Sequence, residues 1–102
     1  MIIRIWHGRT ARSRADEYGE FLTTWAMQDL RGIPGNISAT ILRRDENDVS
    51  HFLTISSWES EDAVREFAGG DLLKARYYPD DRDFLLEFEP QVQIYNMVAH
   101  AP

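Results

Sequence analysis

Two strand-like runs lie close together in the middle of the chain, with only a short polar segment between them. Asn36–Arg44 and Ser50–Trp58 are both rich in β-branched and aromatic residues, which favour extended backbone. The four residues from Asp45 to Asp48 are polar and suited to a hairpin loop. We therefore predict an antiparallel hairpin, around which the rest of the chain must be arranged.

A helix is predicted on each side of this hairpin. The apolar residues from Tyr18 to Trp25 recur at i, i+3, i+4 and i+7, which is typical of one helix face, and Ser13 with Asp16 resembles a capping box. This helix must end before Gly32, since glycine and proline follow.

The second helix is predicted to begin after Ser60, a favourable N-cap residue. Its inner face would carry Ala63, Val64 and Phe67, and it would end at Gly69 and Gly70. A further short helix is predicted over 71–78 because Pro79 would stop it. No structure is assigned to the acidic segment 80–90.

The two ends of the chain are predicted to be strands, Ile2–Arg9 and Gln91–Val98. The order strand, helix, strand, strand, helix, strand is the ferredoxin-like βαββαβ arrangement of the α+β class. A chain of 102 residues has room for one such domain, so residues 1–102 are predicted to form a single domain.

Composition excludes several classes of function. There is no cysteine, so disulfides and thiolate chemistry are absent. A net charge of −6 without a basic cluster argues against nucleic acid as a partner. No apolar run is long enough for a membrane span or a secretory signal, which gives a cytoplasmic protein as the expectation. The three histidines lie far apart in the sequence, so no metal site is predicted.

In this arrangement two helices cover one face of the sheet and leave the other face exposed. Strand alternation lets Arg4 and Trp6 share a face, and likewise Phe52 and Trp58 with Thr54 and Ser56. We expect this aromatic set to lie on the uncovered face, where a second copy of the chain would cover it. Arg4, Trp6, Phe52 and Trp58 are therefore predicted dimer-interface residues, although Trp58 is also a candidate for a pocket wall.

Three segments together resemble the antibiotic biosynthesis monooxygenase family: Arg4–Thr10, the turn Pro34-Gly35-Asn36, and His51–Ser60 with its strand-ending tryptophan. The resemblance spans nearly the whole chain. It implies a dimeric α+β barrel, in which two ferredoxin-like protomers stack their sheets. It also implies a pocket in each protomer between the sheet and the helices.

The resemblance further implies a cofactor-independent monooxygenase acting on a small aromatic or polyketide-type substrate. Such chemistry needs a base, a partner for the substrate anion and a dry aromatic wall. His7 is the predicted base, and Arg9 is its companion because it lies on the same strand face. The predicted substrate-binding residues are Trp25, Phe67, Tyr77 and Tyr78.

Other functions stay open at this stage. A non-catalytic domain that binds a small hydrophobic ligand or pairs with itself is one alternative, and it would have a filled pocket. A proton-transfer isomerase or lyase would also need a single base. The family includes haem-degrading enzymes, but Phe67 and Tyr77 stand where that branch carries a tryptophan and an axial histidine, so no cofactor is predicted.

Overall fold

Four antiparallel strands form one sheet in the computed structural model, which describes all residues from Met1 to Pro102. The strands are β1 (Ile2–Ala11), β2 (Asn36–Glu46), β3 (Val49–Trp58) and β4 (Gln93–Asn96). Their order across the sheet is β2-β3-β1-β4, and every neighbouring pair is antiparallel. The predicted ferredoxin-like α+β fold is confirmed.

The central hairpin is tighter than the sequence pattern predicts. Asp45 pairs with Ser50 and Glu46 with Val49, so the strands continue into the polar segment. Only Asn47 and Asp48 form the turn, and Asn47 has a φ of 55°. Asparagine tolerates this left-handed conformation better than most residues, which allows a two-residue connection.

The first predicted helix is present as three consecutive helical segments. These are α1 (Ala15–Phe21), a π-helical turn (Leu22–Ala26) and α2 (Met27–Arg31). The capping box expected from Ser13 does not form. A short 3-10 turn, Arg12–Arg14, precedes α1, and no side chain caps either segment.

The second predicted helix, α3 (Glu61–Ala68), has the termini that its sequence indicates. The Ser60 hydroxyl accepts a hydrogen bond from the Ala63 N–H at 3.2 Å. Gly69 ends the helix in the left-handed region, with a φ of 87°. Glycine suits this position because it has no side chain to clash there.

The prediction of a short helix over 71–78 is wrong. This segment runs alongside the residues that precede β4: the Ala75 N–H donates to the Pro90 carbonyl at 2.9 Å, and the Val92 N–H donates to the Leu73 carbonyl at 2.8 Å. A helix would have to give up these long-range bonds. A 3-10 turn, Pro79–Asp83, follows instead.

The helices cover the opposite sheet face from the one expected. Arg4, Trp6, Phe52 and Trp58 are all buried beneath the helices, so their predicted placement on the uncovered face is wrong. Strand alternation shows which residues share a face but not which face is covered. The large aromatic rings fill the space between the two layers. The uncovered face of β1 and β3 carries isoleucine and leucine towards one end of the strands, and His7, Arg9 and His51 towards the other.

None of the helices has the length and apolar character that crossing a membrane requires.

Candidate functional site

A small cavity lies between the first helix and the covered face of the sheet; we call it the helix–sheet cavity. Its volume is about 30 Å³, which is roughly the volume of one water molecule. Three parts of the chain form its walls. The lining residues are Arg4, Trp6 and Thr54 from the sheet, Tyr18, Leu22, Ala26 and Leu30 from the first helix, and Arg76, Tyr78 and Asp81 from the segment after α3.

The irregular turn of the first helix lies at this cavity. Leu22 and Ala26 are the two ends of the π-helical turn, and both side chains line the cavity. A π-helical turn interrupts regular α-helical packing and is frequent at functional sites. The irregular part of the first helix is therefore also the part that lines the cavity.

Arg4 is a buried cation without a carboxylate partner. Its side chain and backbone are 3% exposed, and no Asp or Glu oxygen lies within 4.0 Å of the guanidinium. One nitrogen, Nη2, donates to the Lys74 carbonyl at 3.5 Å, while Nε has no hydrogen-bond partner. Burial lowers the pKa of Arg4 to about 10, so the group is still cationic at neutral pH.

A second guanidinium, from Arg76, completes the cationic wall. Arg4 and Arg76 both contact the Phe67 ring, with their central carbons 5.1 and 4.6 Å from its centroid. Arg76 has a counter-ion, because its Nη2 lies 3.6 Å from the Asp29 carboxylate. The Tyr78 hydroxyl also donates to Asp29, at 2.7 Å. The charge of Arg76 is thus balanced, whereas that of Arg4 is not.

Asp81 places a buried carboxyl group in the same cavity. It is 2% exposed and accepts hydrogen bonds from the Tyr18 hydroxyl at 2.8 Å and from the Tyr78 N–H at 2.6 Å. Burial raises the pKa of Asp81 above its ordinary value, although both donors oppose that rise. Burial, followed by the Asp81 charge, raises the pKa of Tyr18 and keeps its hydroxyl protonated.

The four predicted substrate-binding residues have different positions. Tyr78 lines the cavity, and Phe67 lies beneath the two guanidinium groups. Tyr77 packs edge-on against Trp6, with ring centroids 6.1 Å apart, and its hydroxyl donates to the Glu89 carbonyl. Trp25 is 65% exposed and is not part of the cavity wall.

The two predicted catalytic residues, His7 and Arg9, lie on the uncovered face. The inference that they share a face opposite Arg4 is confirmed, but their expected position in the pocket between sheet and helices is wrong. His7 Nδ1 lies 2.5 Å from Glu89, and its Nε2 lies 3.0 Å from His51. Arg9 Nε donates to Glu87 at 2.6 Å.

The sequence-based prediction of the site missed Tyr18, Arg76 and Asp81, whose polar side chains line the cavity. Tyr18 fits the apolar face of a helix. Helical periodicity predicts that its ring is buried but does not indicate a role for its hydroxyl. Asp81 belongs to an acidic segment that resembles an ordinary solvated loop. Pro79 followed two residues later by Asp81 is, however, the pattern of a capped helical turn, which would have indicated an ordered carboxylate.

One comparison with known proteins identifies a family. The model of the antibiotic biosynthesis monooxygenase family matches residues 1–76. No curated protein matches the sequence.

Solved structures share the fold at low sequence identity. The "Putative antibiotic biosynthesis monooxygenase" from Nitrosomonas europaea has a TM-score of 0.69 and 16% identity, over 97% of this chain and 100% of that one. The heme-degrader MhuD from Mycobacterium tuberculosis, solved with two hemes bound in its active site, has a TM-score of 0.67 and 15% identity, with both chains fully covered. At these identities the likeness establishes the fold alone.

Proposed function

Because the chain belongs to the antibiotic biosynthesis monooxygenase family, we propose that it binds a small aromatic or polyketide-type molecule in the helix–sheet cavity and oxidises it without a cofactor. The observation that carries this proposal is the group of residues around the cavity. A cation without a counter-ion, a buried carboxyl group with a raised pKa and an aromatic wall meet there. These are the parts that metal-free oxygenation of an enol or phenol requires.

Asp81 is the proposed general base. A carboxylate whose pKa is raised by burial is a better proton acceptor than an exposed one, since its basicity moves towards the working pH. Asp81 takes the proton of the substrate enol or phenol. The guanidinium groups of Arg4 and Arg76 then stabilise the resulting anion electrostatically.

The oxidant is dioxygen, and the electrons come from the substrate anion. One electron passes to dioxygen, and the substrate radical and superoxide combine to form a carbon–oxygen bond. The peroxide anion that results takes back the proton held by Asp81, which gives a hydroperoxide and regenerates the carboxylate. Loss of water from the resulting hydroperoxide leaves a carbonyl group. For a methylene group between two aryl rings, one oxygen atom enters the product and the other leaves as water, so atoms and electrons balance.

His7 and Arg9, the base and its companion expected from the sequence, have a role in this scheme only if the substrate lies on the uncovered face. Their side chains are bonded to Glu89, His51 and Glu87 rather than directed into the helix–sheet cavity. The experiment below separates the two positions.

Haem does not fit the residues of the cavity. No histidine lines it, and the Tyr77 hydroxyl donates to the Glu89 carbonyl instead of facing an open space. The cavity of about 30 Å³ is also far below the roughly 300–1,000 Å³ of ordinary ligand pockets. Haem therefore has no part in the proposed reaction.

The same volume favours a second candidate, a non-catalytic domain that binds a small ligand or pairs with itself. An aromatic substrate needs the cavity to widen, and its movable walls are the π-helical turn and the 3-10 turn at Pro79–Asp83. If these walls do not move, the cavity stays too small to admit an aromatic ring.

A second copy of the chain is the proposed partner. The uncovered face carries exposed apolar side chains, among them Leu42 at 46% and Tyr95 at 52% exposure, beside the half-buried Ile5, Leu53 and Ile55. Apolar surface of this kind favours association. Stacking two such sheets would form the dimeric barrel of the family.

Oxygen consumption with a panel of anthrones, hydroquinones and flavonoids tests the oxygenase. We expect uptake by the wild type, a loss of about 100-fold or more in Asp81→Asn and Arg4→Met, and little change in His7→Ala. Arg31→Met is the matched control, because Arg31 is exposed and does not line the cavity. Loss confined to His7→Ala would move the site to the uncovered face.

Absence of uptake by the wild type would contradict the oxygenase. Exchange of substrate protons with deuterated solvent, without oxygen consumption, would then identify an isomerase or lyase.

A further inference from the structure

The charge of Arg4 is unexplained by the protein's own contacts. Taking a guanidinium out of water is costly, and buried arginines are ordinarily paired with a carboxylate. Arg4 is 3% exposed, its Nε makes no hydrogen bond, and its one polar contact is a long bond of 3.5 Å to the Lys74 carbonyl. The protein's own side chains therefore supply no anion to balance this charge.

The neighbouring polar groups are already engaged. Arg76 is paired with Asp29, and Asp81 is held by the Tyr18 hydroxyl and the Tyr78 N–H. Asp81 is more than 4.0 Å from the guanidinium of Arg4, since the two form no ion pair. Among these charged groups, Arg4 is the one whose guanidinium still has hydrogen-bond donors free to bind an anion.

A second unused donor lies in the same wall. Trp6 is 5% exposed, and its indole N–H has no hydrogen-bond partner. The indole N–H lies next to the Tyr77 hydroxyl, which donates its own proton to the Glu89 carbonyl. Both Trp6 and Arg4 line the helix–sheet cavity, which has room for one small group.

The arrangement of donors indicates the chemical class of that group. The Nε and Nη nitrogens of a guanidinium form a planar fork that matches the two oxygens of a carboxylate. In Arg4, Nε is free and Nη2 is only weakly engaged. The adjoining wall is aromatic, with Trp6, Tyr18 and Tyr78.

We propose that Arg4 and Trp6 form an anion subsite, and that the molecule bound in the helix–sheet cavity is a small aromatic carboxylate. The carboxylate lies on the fork of Arg4, and the ring lies among the aromatic side chains once the cavity has widened. This inference rests on the proposed function only for the location of the site, since carboxylate binding does not depend on oxidation.

Thermal unfolding in a low-chloride buffer tests the subsite. Benzoate is the probe, benzamide is its neutral isostere, and formate reports on the subsite without a ring. We expect formate and benzoate each to raise the Tm of the wild type, benzoate by about 7 °C at ten times its Kd, while benzamide has no effect. An equal response to benzamide would overturn the proposal.

Three variants assign the effect to Arg4. Arg4→Met should abolish both carboxylate responses, Arg4→Lys should retain part of them as a point charge without the fork, and the control Arg31→Met should respond like the wild type. Without ligand, Arg4→Met should be at least as stable as the wild type, because a buried unpaired charge is removed. A full benzoate response in Arg4→Met would overturn the subsite.

The outcomes for the subsite and for the oxygenase are separable. Benzoate binding without oxygen uptake supports the subsite and contradicts the oxygenase. Oxidation of neutral substrates by Arg4→Met at the wild-type rate, together with loss of its benzoate response, supports the subsite and contradicts the proposed role of Arg4 in stabilising the substrate anion. A response to formate but not to benzoate overturns the aromatic class of the ligand.

Discussion

Asp81 links the chemistry of the cavity to the stability of the fold. Its pKa in the folded protein is raised by burial above the ordinary value of 3.8, so the unfolded chain releases this proton at lower pH than the folded one. As pH rises from about 3.8 through the folded pKa, the unfolded state binds fewer protons and the free energy of unfolding falls. This cost of a buried carboxylate is present at neutral pH.

Urea unfolding of the wild type and Asp81→Asn between pH 3.5 and 7 measures this cost. The difference in unfolding free energy, wild type minus variant, should decrease as pH rises and then level off, because the variant cannot titrate at this position. Other groups with shifted pKa values, such as Asp45, are common to both proteins and cancel. A difference that rises with pH would mean that Asp81 is stabilised as a carboxylate.

The binding of benzoate to Arg4 has its own pH signature. A guanidinium whose pKa is about 10 stays charged between pH 6 and 9, and benzoate stays ionised, so the Kd should be nearly constant over this range. An imidazole would lose its charge within the same range and weaken the binding. A Kd that increases steeply from pH 6 to 8, measured by titration of tryptophan fluorescence, would assign the anion to a histidine instead of Arg4.

The sequence predicted a site residue only where the type of side chain alone indicated its role. Tyr78, predicted from its aromatic ring, does line the cavity. The role of Arg4 depends on the absence of a carboxylate around it, which no local pattern reports. Asp81 depends on bonds to Tyr18, 63 positions away in the sequence, so its burial is a property of the fold.

At the scale of elements, α3 positions Phe67 beneath the two guanidinium groups, and Ser60 fixes where that helix begins. Ser60→Ala removes the acceptor for the Ala63 N–H and should lower the free energy of unfolding by about 1 kcal/mol. Ser13→Ala is a matched control, since Ser13 forms no cap and its loss should cost much less. Equal losses in urea unfolding would contradict the assignment of Ser60 as the cap.

Elements whose sequence pattern is local were predicted well, because strand alternation, helical periodicity and capping residues can be read within one segment. The helices on both sides of the hairpin and the strands β1, β2 and β3 follow from such patterns. The segment 71–78 does not, since its backbone bonds to residues 90 and 92 replace the helical ones. The proline that follows this segment favours a helix only while no partner segment is considered.

For the whole molecule, the order of elements predicted the fold, but the covered side of the sheet required the packing itself. Each candidate face of β1 and β3 had apolar residues, one with large aromatics and the other with isoleucine and leucine. The helices cover the face that carries Trp6, Phe52 and Trp58. As a result Arg4 lies in the cavity, and His7 lies outside it on the uncovered face. Every site residue on these strands exchanged its predicted surroundings for this reason.

The proposed dimer is a property of the uncovered face, and its solution mass checks it. At micromolar concentration the protein should have close to twice 11.9 kDa by sedimentation or light scattering. Leu53→Glu places a charge in the middle of the stacked sheets, where a partner would bury it, and should yield monomers. Trp25→Glu is the control, because Trp25 is exposed on the helix side and should not affect the mass. A wild type that stays monomeric would leave the apolar face open to solvent and contradict the stacked arrangement.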